Sequence, residues 1–120
     1  MAQCDQGYLC SVCSHEVEDI RESDLYLRYV IGELDPEVLH TTPERHIRCN
    51  PALAQFIVAD GFEPLFGPAL FDKRELDPEY VQQRESLVTR GWERLQELFA
   101  QSDGISVHDY PLSEMRGKFA

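Results

Sequence analysis

The sequence has no apolar run that approaches the roughly 20 residues of a membrane-spanning helix. Its first residues also lack the basic and apolar regions of a secretory signal peptide. We therefore expect neither a membrane nor a secreted protein, and we predict a cytoplasmic location. In that reducing compartment, the four cysteines indicate metal or redox chemistry rather than a disulfide framework.

Basic residues are scarce. The chain has 11 Lys and Arg against 22 Asp and Glu, which gives a formal net charge of −11. A protein of this charge repels phosphate backbones and anionic membrane surfaces. We therefore predict no nucleic-acid partner and no membrane partner. The acidic residues are spread along the chain, which favours a solvated surface over a dedicated site for a basic partner.

The residue patterns of several enzyme classes are missing. The sequence has no His-Glu-x-x-His, no phosphate-binding glycine-rich loop and no Gly-x-Ser-x-Gly. A zinc deaminase needs a His-x-Glu pair followed by Pro-Cys-x-x-Cys, but here the cysteine pair comes first and His15 directly precedes Glu16. The sequence therefore predicts no catalytic residue and favours a protein without enzymatic activity.

Two pairs of metal-binding residue types are present, each with a gap of two residues. Cys10 and Cys13 form the first pair, and His46 and Cys49 form the second. Three thiolates and one imidazole complete the closed tetrahedral shell that is typical of structural zinc. We predict a Zn²⁺ site with these four ligands.

Two other residues compete for places in this shell. Cys4 can replace His46 to give a four-cysteine site, and His15 lies two residues past Cys13. The interval from Cys13 to His46 is longer than the roughly 15–20 residues usual between zinc pairs, although closing the longer loop costs little extra entropy. Because neither competitor forms a pair with the two-residue gap, Cys4 and His15 remain alternative ligands.

The second pair directly precedes Asn50-Pro51, a sequence that predicts the start of a helix. The free N–H groups at a helix start stabilise a thiolate. A knuckle joined to a second ligand pair at a helix start resembles treble-clef zinc fingers, and this resemblance covers residues 8–59. Treble-clef folds often bind nucleic acids, but the net charge argues against that role here.

We expect one zinc-stabilised α+β domain over residues 1–120, with loosely ordered tails at 1–7 and 113–120. The clearest element is a long amphipathic helix over residues 77–101, which starts at an Asp-Pro pair. Alternating residues predict short strands at 16–20 and 105–110, and capping signals predict short helices at 36–39 and 52–59. Residues 25–31 fit both a strand and a helix, with a slight preference for a helix.

The loop at residues 62–71 contains Phe62, Phe66 and Phe71 together with two prolines. We expect these aromatic side chains to pack on the core, and the alternative is an exposed surface for a protein partner. The sequence as a whole predicts a zinc-binding protein-interaction or regulatory module. The alternative is a thiol redox protein that uses Cys10 and Cys13, although nine residues are too few to supply the strand, helix and second strand that precede this motif in thioredoxin-like proteins.

Overall fold

The computed structural model describes residues 9–101 and 105–116. Over these residues the chain forms three α-helices and no strand: α1 is Asp24–Val30, α2 is Pro51–Ala54 and α3 is Pro78–Ala100. Short 3₁₀ turns lie before, between and after these helices, at Ile20–Glu22, Pro36–Val38, Ile47–Cys49, Ala69–Phe71, Lys73–Glu75, Val107–Asp109 and Ser113–Met115. The described chain is therefore helical, and the prediction of an α+β fold is wrong.

Both predicted strands fail because no neighbouring segment pairs with them. In residues 16–20, the pairing is limited to one isolated bridge between Glu16 and Leu9. The side chains of Val17 and Ile20 are buried, but the segment forms no strand. Residues 105–110 contain a 3₁₀ turn instead, because the Ser106 hydroxyl accepts a hydrogen bond from the backbone N–H of His108. The resemblance to treble-clef zinc fingers is therefore limited to the order of the two ligand pairs along the sequence.

Helix α1 confirms the preference for a helix at residues 25–31. The hydroxyl of Ser23 accepts a hydrogen bond from the backbone N–H of Tyr26 at 3.0 Å, and Gly32 follows the helix with a φ of +81°. The buried residues occupy nearly every side of α1: Asp24, Leu25, Tyr26, Leu27, Tyr29 and Val30. This burial explains why its sequence shows no clear amphipathic period.

Helix α3 confirms the predicted long helix. Asp77 accepts a hydrogen bond from the backbone N–H of Tyr80 at 3.1 Å and is followed by Pro78 at the first helical position. Its buried face is formed by Val88, Gly91, Leu95 and Leu98. This face packs against α1 to form the main core of the described chain.

The other two predicted helices are shorter than expected. Residues 36–39 form only the 3₁₀ turn Pro36–Val38, and α2 ends at Ala54 instead of extending to residue 59. After α2, the N–H groups of Phe56 and Ile57 bond to carbonyls three residues back, which tightens the chain and buries both side chains. Tertiary burial therefore overrides helix continuation here.

The segment at residues 105–116 is fixed to both larger helices. The N–H of Leu112 donates to the carbonyl of Val30 at 3.0 Å, and Arg94 donates to the carbonyl of Tyr110 at 2.8 Å. Residues 1–8 and 117–120 lie outside the described chain, so the proposed tails and the single-domain boundary stay predictions. No described helix combines the length and the apolarity that crossing a membrane requires.

Candidate metal centre

The first ligand pair lies in a tight turn. The N–H of Ser14 donates to the carbonyl of Cys10 at 2.9 Å, and the N–H of Cys10 donates to the carbonyl of His15 at 2.8 Å. Ser14 has a φ of +67°, a left-handed conformation that lets the chain reverse directly after Cys13. The turn points both cysteines to one side, as expected from the two-residue gap.

The second pair lies in the 3₁₀ turn Ile47–Cys49, with His46 as its N-terminal flanking residue. An isolated antiparallel bridge joins His46 to Ser23, at the start of α1. The N–H of Ser11 donates to the carbonyl of Glu44 at 2.9 Å, which brings the first knuckle against the segment that holds the second pair. Backbone pairing thus closes the long interval between the two pairs.

The ligand atoms of the two pairs converge. One ligand atom from each of Cys10, Cys13, His46 and Cys49 lies within 4.8 Å of all the others. His46 Nδ1 is 3.3 Å from Cys13 Sγ and 3.8 Å from Cys49 Sγ. In a tetrahedral site with the bond lengths of zinc, neighbouring ligand atoms lie about 3.5–4 Å apart. The four side chains are therefore arranged as a metal-binding cluster, and they fit a zinc ion.

The two alternative ligands are not part of this cluster. The His15 side chain is exposed and lies outside the group of converging residues. Cys4 lies outside the described residues. Among those residues, the three cysteines are free thiols with no disulfide between them.

The sulfur of Cys10 is the most deeply buried part of the cluster, since only 2% of Cys10 is exposed. Backbone N–H groups of Val12, Cys13 and His46 approach it at 3.4–3.5 Å. Burial raises the pKa of Cys10, but these N–H groups and the Cys49 side chain outweigh burial and lower the pKa to about 6. Without a metal, the cluster therefore stabilises one thiolate at this position.

Further thiolates are disfavoured in the metal-free cluster. Burial raises the pKa of Cys49, and the neighbouring sulfurs of Cys10 and Cys13 raise it further, to about 12. A divalent cation reverses this repulsion, because each sulfur then faces a positive charge instead of another anion. The arrangement is chemically suited to a metal rather than to three free thiolates.

A hydrogen bond at Nε2, on the side of the ring away from the sulfurs, fixes the orientation of the His46 side chain. Its Nε2 lies 2.9 Å from the carbonyl oxygen of Glu16, and this oxygen only accepts hydrogen bonds. The hydrogen of the neutral ring therefore resides on Nε2, and Nδ1 presents its lone pair to the sulfurs. Such a bond to the second ring nitrogen is the usual partner of a metal-binding histidine. Burial lowers the pKa of His46, but the bond to Glu16 and the nearby Cys10 sulfur outweigh it and raise this pKa.

A buried polar network holds the second ligand pair in place. Asp24 is fully buried and accepts hydrogen bonds from Arg28 at 2.9 Å, Arg45 at 2.8 Å and Asn50 at 2.9 Å. Glu44 beside it accepts from the hydroxyl of Ser23 at 2.9 Å. Burial raises the pKa of Glu44. The hydrogen bonds that Glu44 accepts from Ser23 and from two backbone N–H groups only partly oppose this effect, and the charge of Asp24 raises the pKa further.

Sequence reasoning missed the role of this network. The Glu22-Ser23-Asp24 cluster predicts a helix cap, but an acidic residue followed by a largely apolar stretch also indicates a buried carboxylate that needs partners. The bond from His46 to Glu16 has no sequence signal, because it uses a backbone carbonyl. These supporting groups are long-range, and their partners are known only once the chain is folded.

The aromatic loop at residues 62–71 is partly buried and partly exposed. Phe62 packs edge-to-face on Trp92 with ring centres 5.7 Å apart. Phe66 is 57% exposed, and Leu70 and Phe71 are 79% and 68% exposed. The expectation of core packing therefore describes Phe62 but not the other two aromatic residues.

The exposed part of this loop is held firmly by a buried amide. Gln55 is 2% exposed, and its side chain accepts from the N–H groups of Gly67 and Lys73 and donates to the carbonyls of Ala52 and Phe71. Ala69 has a left-handed φ of +44°, a strained conformation for a residue other than glycine. The hydrogen bonds of Gln55 therefore fix the backbone of the loop in a conformation that leaves the side chains at its tip exposed.

No known protein family, curated protein or solved structure matches this chain. The function of the protein must therefore be inferred from the geometry and chemistry of its own residues.

Proposed function

We propose that this protein is a small zinc-binding protein whose Cys₃His site is structural, and that it serves as a protein-interaction or regulatory module. The observation that carries the proposal is the convergence of Cys10, Cys13, His46 and Cys49 within 4.8 Å. Four protein ligands fill a tetrahedral shell, so no position remains for water or substrate. A reducing cytoplasmic environment belongs to the proposal because thiolate ligands must stay reduced.

The site crosslinks two parts of the chain that backbone hydrogen bonds and the buried polar network bring together. The knuckle around Cys10 has no helix of its own, and the segment that carries His46 and Cys49 lies between short elements. For a chain of 120 residues, a metal that crosslinks such segments adds stability that the modest apolar core does not supply. This is the physical argument for a structural role.

The test is the metal content of protein purified without chelator. We expect about one zinc per chain, as a single closed site implies. The variant Cys13→Ser should lose this metal, and His15→Ala, which removes a nearby exposed histidine, should keep it. Protein that carries no stoichiometric metal, with thiols that react freely, would refute the proposal.

The second candidate is a thiol redox protein that uses Cys10 and Cys13. The low pKa of Cys10, about 6, is the observation in its favour. Its burial opposes this role, because an attacking thiolate must reach its substrate, and 2% exposure prevents that. A reversible Cys10–Cys13 disulfide in metal-free protein as isolated would favour the redox function over the zinc site.

The interaction role is assigned to the loop tip formed by Phe66, Leu70 and Phe71. Large apolar side chains that are exposed on a rigid segment are typical of protein-binding surfaces, since little ordering entropy is lost on binding. The net charge of −11 opposes contact with a second copy or an anionic membrane, so we propose a protein partner with an apolar pocket and a basic rim.

Paired variants test this surface. A partner that co-purifies with the native protein should be lost with Leu70→Ser and Phe71→Ser. It should be retained with Val58→Ser, which removes an exposed apolar side chain outside the loop. Equal loss with all three variants would show that general surface hydrophobicity, and not this loop, causes the binding.

A further inference from the structure

A cleft of about 620 Å³ lies between the second ligand pair and α3. One side is formed by the segment from His46 to Cys49, and the other includes Phe62 and Trp92. Its volume is within the range of about 300–1,000 Å³ that is usual for small-molecule sites. His46 and Cys49 line this cleft, so its shape depends on how the metal centre is held.

Aromatic and aliphatic groups provide the apolar part of the cleft. The Phe62 and Trp92 rings are inclined at 70° to each other, and the side chain of Ile47 is buried beside them. Gly61 has a φ of +89°, which turns the chain so that the next residue reaches Trp92. These surfaces suit a ring, because aromatic groups gain energy from edge-to-face contacts with other rings.

One guanidinium group gives the cleft a cationic side. Arg48 lies over the Phe62 ring, 4.6 Å from its centre, and its Nη2 donates to the carbonyl of Glu63 at 3.0 Å. The Glu63 carboxylate is 3.8 Å away and 87% exposed, so it neutralises Arg48 only weakly. Among the described residues, Arg48 therefore retains donors for a ligand.

The second guanidinium of the cleft is already paired with a carboxylate. Arg21 is bound by both carboxylate oxygens of Asp19, at 2.9–3.0 Å, and its guanidinium lies 3.7 Å from the Phe99 ring centre. Glu22 lies 3.7 Å from His46, at the metal side of the cleft. An anionic group is thus favoured beside Arg48 and disfavoured near Glu22, which gives a bound ligand one orientation.

From this arrangement we infer that the cleft binds a small aromatic carboxylate, with its ring against Phe62 and Trp92 and its carboxylate on Arg48. A planar guanidinium bonds a carboxylate through two parallel N–H groups, whereas an uncharged ligand does not use this contact. The inference rests on the proposed metal centre, because His46 and Cys49 form the wall opposite the rings. Metal loading and ligand binding should therefore be coupled.

The experiment uses the intrinsic fluorescence of Trp92, which is the only tryptophan of the chain. The full-length protein, with its zinc content measured in the same sample, is titrated with N-acetylphenylalanine. Trp92 is excited at the red edge of the indole band, where the ligand does not absorb. We expect saturable quenching with a Kd on the order of 1 mM or tighter. N-acetylphenylalanine amide, which lacks the carboxylate, and N-acetylalanine, which lacks the ring, should each bind at least about tenfold more weakly.

Matched variants locate the contact. Arg48→Gln should weaken binding of N-acetylphenylalanine about tenfold and leave binding of its amide unchanged. Arg90→Gln removes a guanidinium of similar exposure that pairs with Glu114 outside the cleft, and it should leave both affinities unchanged. An equal effect of the two variants on the carboxylate would overturn the assignment of Arg48.

The outcomes separate this inference from the proposed function. Zinc-loaded protein that shows no saturable quenching, or binds the three probes equally, overturns the cleft assignment and leaves the metal centre intact. Protein isolated without zinc overturns the metal centre. The same titration then tests the cleft separately, because saturable quenching of Trp92 reports ligand binding whether or not metal is bound. Quenching that is strong in the zinc-loaded protein and is lost after chelation supports both, and quenching that survives chelation overturns the coupling.

Discussion

Asn50 donates a hydrogen bond from its side-chain amide to the carboxylate of Asp24 at 2.9 Å. This contact joins the first residue of α1 to the residue directly after Cys49. The same carboxylate binds Arg45, directly before His46. One buried side chain therefore fixes the chain on both sides of the second ligand pair, and the metal centre depends on it without direct contact.

The variant Asp24→Asn tests this dependence. The amide has nearly the same shape but loses the charge that balances Arg28 and Arg45, and breaking such a buried pair costs about 3–5 kcal/mol. We expect chemical denaturation to show a loss of this size, together with weaker retention of zinc. Asp60→Asn, at an exposed position, should change stability by less than about 0.5 kcal/mol. Equal stability of the two variants would contradict a supporting role for Asp24.

Cys49→Ala should affect more than one bond. Without this ligand the metal no longer joins the knuckle around Cys10 to the chain before α2, so both segments should loosen. We expect loss of zinc, exposure of apolar surface to a hydrophobic dye, and a Tm lowered by roughly 10 °C or more. A variant that melts like the native protein with zinc still bound would show that Cys49 is not a ligand, and Cys4 would become the better candidate.

Metal binding should weaken as the pH falls. Below its pKa of about 12, Cys49 carries a proton in the metal-free protein, so binding must displace that proton. Below about pH 6, Cys10 is protonated as well, and the raised pKa of His46 adds another proton at this end of the range. The stability given by the metal is thus present at neutral and higher pH and is lost with a steepening slope below about pH 6.

Zinc transfer to a chromogenic chelator, measured between about pH 8 and pH 5, checks this dependence. A parallel zinc titration in weak buffer should release more than one proton per metal below about pH 6. Occupancy that is constant over this range, or a metal that binds without proton release, would contradict thiolate and imidazole ligation.

Gly91→Ala should destabilise the protein, although alanine is the better helix former by about 1 kcal/mol. A Cβ atom at this position would overlap with Cγ2 of Ile31 and lie 3.1 Å from Cδ1 of Leu27. Overpacking of this kind costs about 1–3 kcal/mol, so we expect a net loss in thermal or chemical denaturation. Ser86→Ala, at an exposed position of α3, should instead be neutral or slightly stabilising. A stabilised Gly91→Ala variant would show that α1 and α3 do not approach so closely.

The protein should not bind duplex DNA or RNA at physiological salt. A net charge of −11 repels the phosphate backbone, and this long-range term outweighs any architectural likeness to nucleic-acid-binding zinc fingers. A gel-shift assay should show no complex. Tight binding that weakens steeply with added salt would indicate a basic surface that opposes the overall charge.

The sequence alone determined the local features of this protein. A gap of two residues brings side chains round one turn, so both ligand pairs were identified without knowledge of the fold. Asp77 and Pro78 mark the start of α3 by satisfying or removing the free N–H groups of its first turn, and the apolar period of 3.6 residues then specifies the buried face. Each of these signals lies within a few residues of the structure that it specifies.

Only the tertiary structure decided the rest. The alternating segments at 16–20 and 105–110 form no strands in the described chain, because a strand needs a neighbouring strand and no local pattern specifies one. Helix α1 is buried on nearly all sides, so its period was hidden. His46 lies 33 residues from Cys13, and the two meet because Ser23 and Asp24, within the intervening segment, pair with residues 44–46. Such long-range contacts form because buried polar groups need hydrogen-bond partners, and these partners come from distant parts of the chain. No short stretch of sequence specifies which distant residue the partner is.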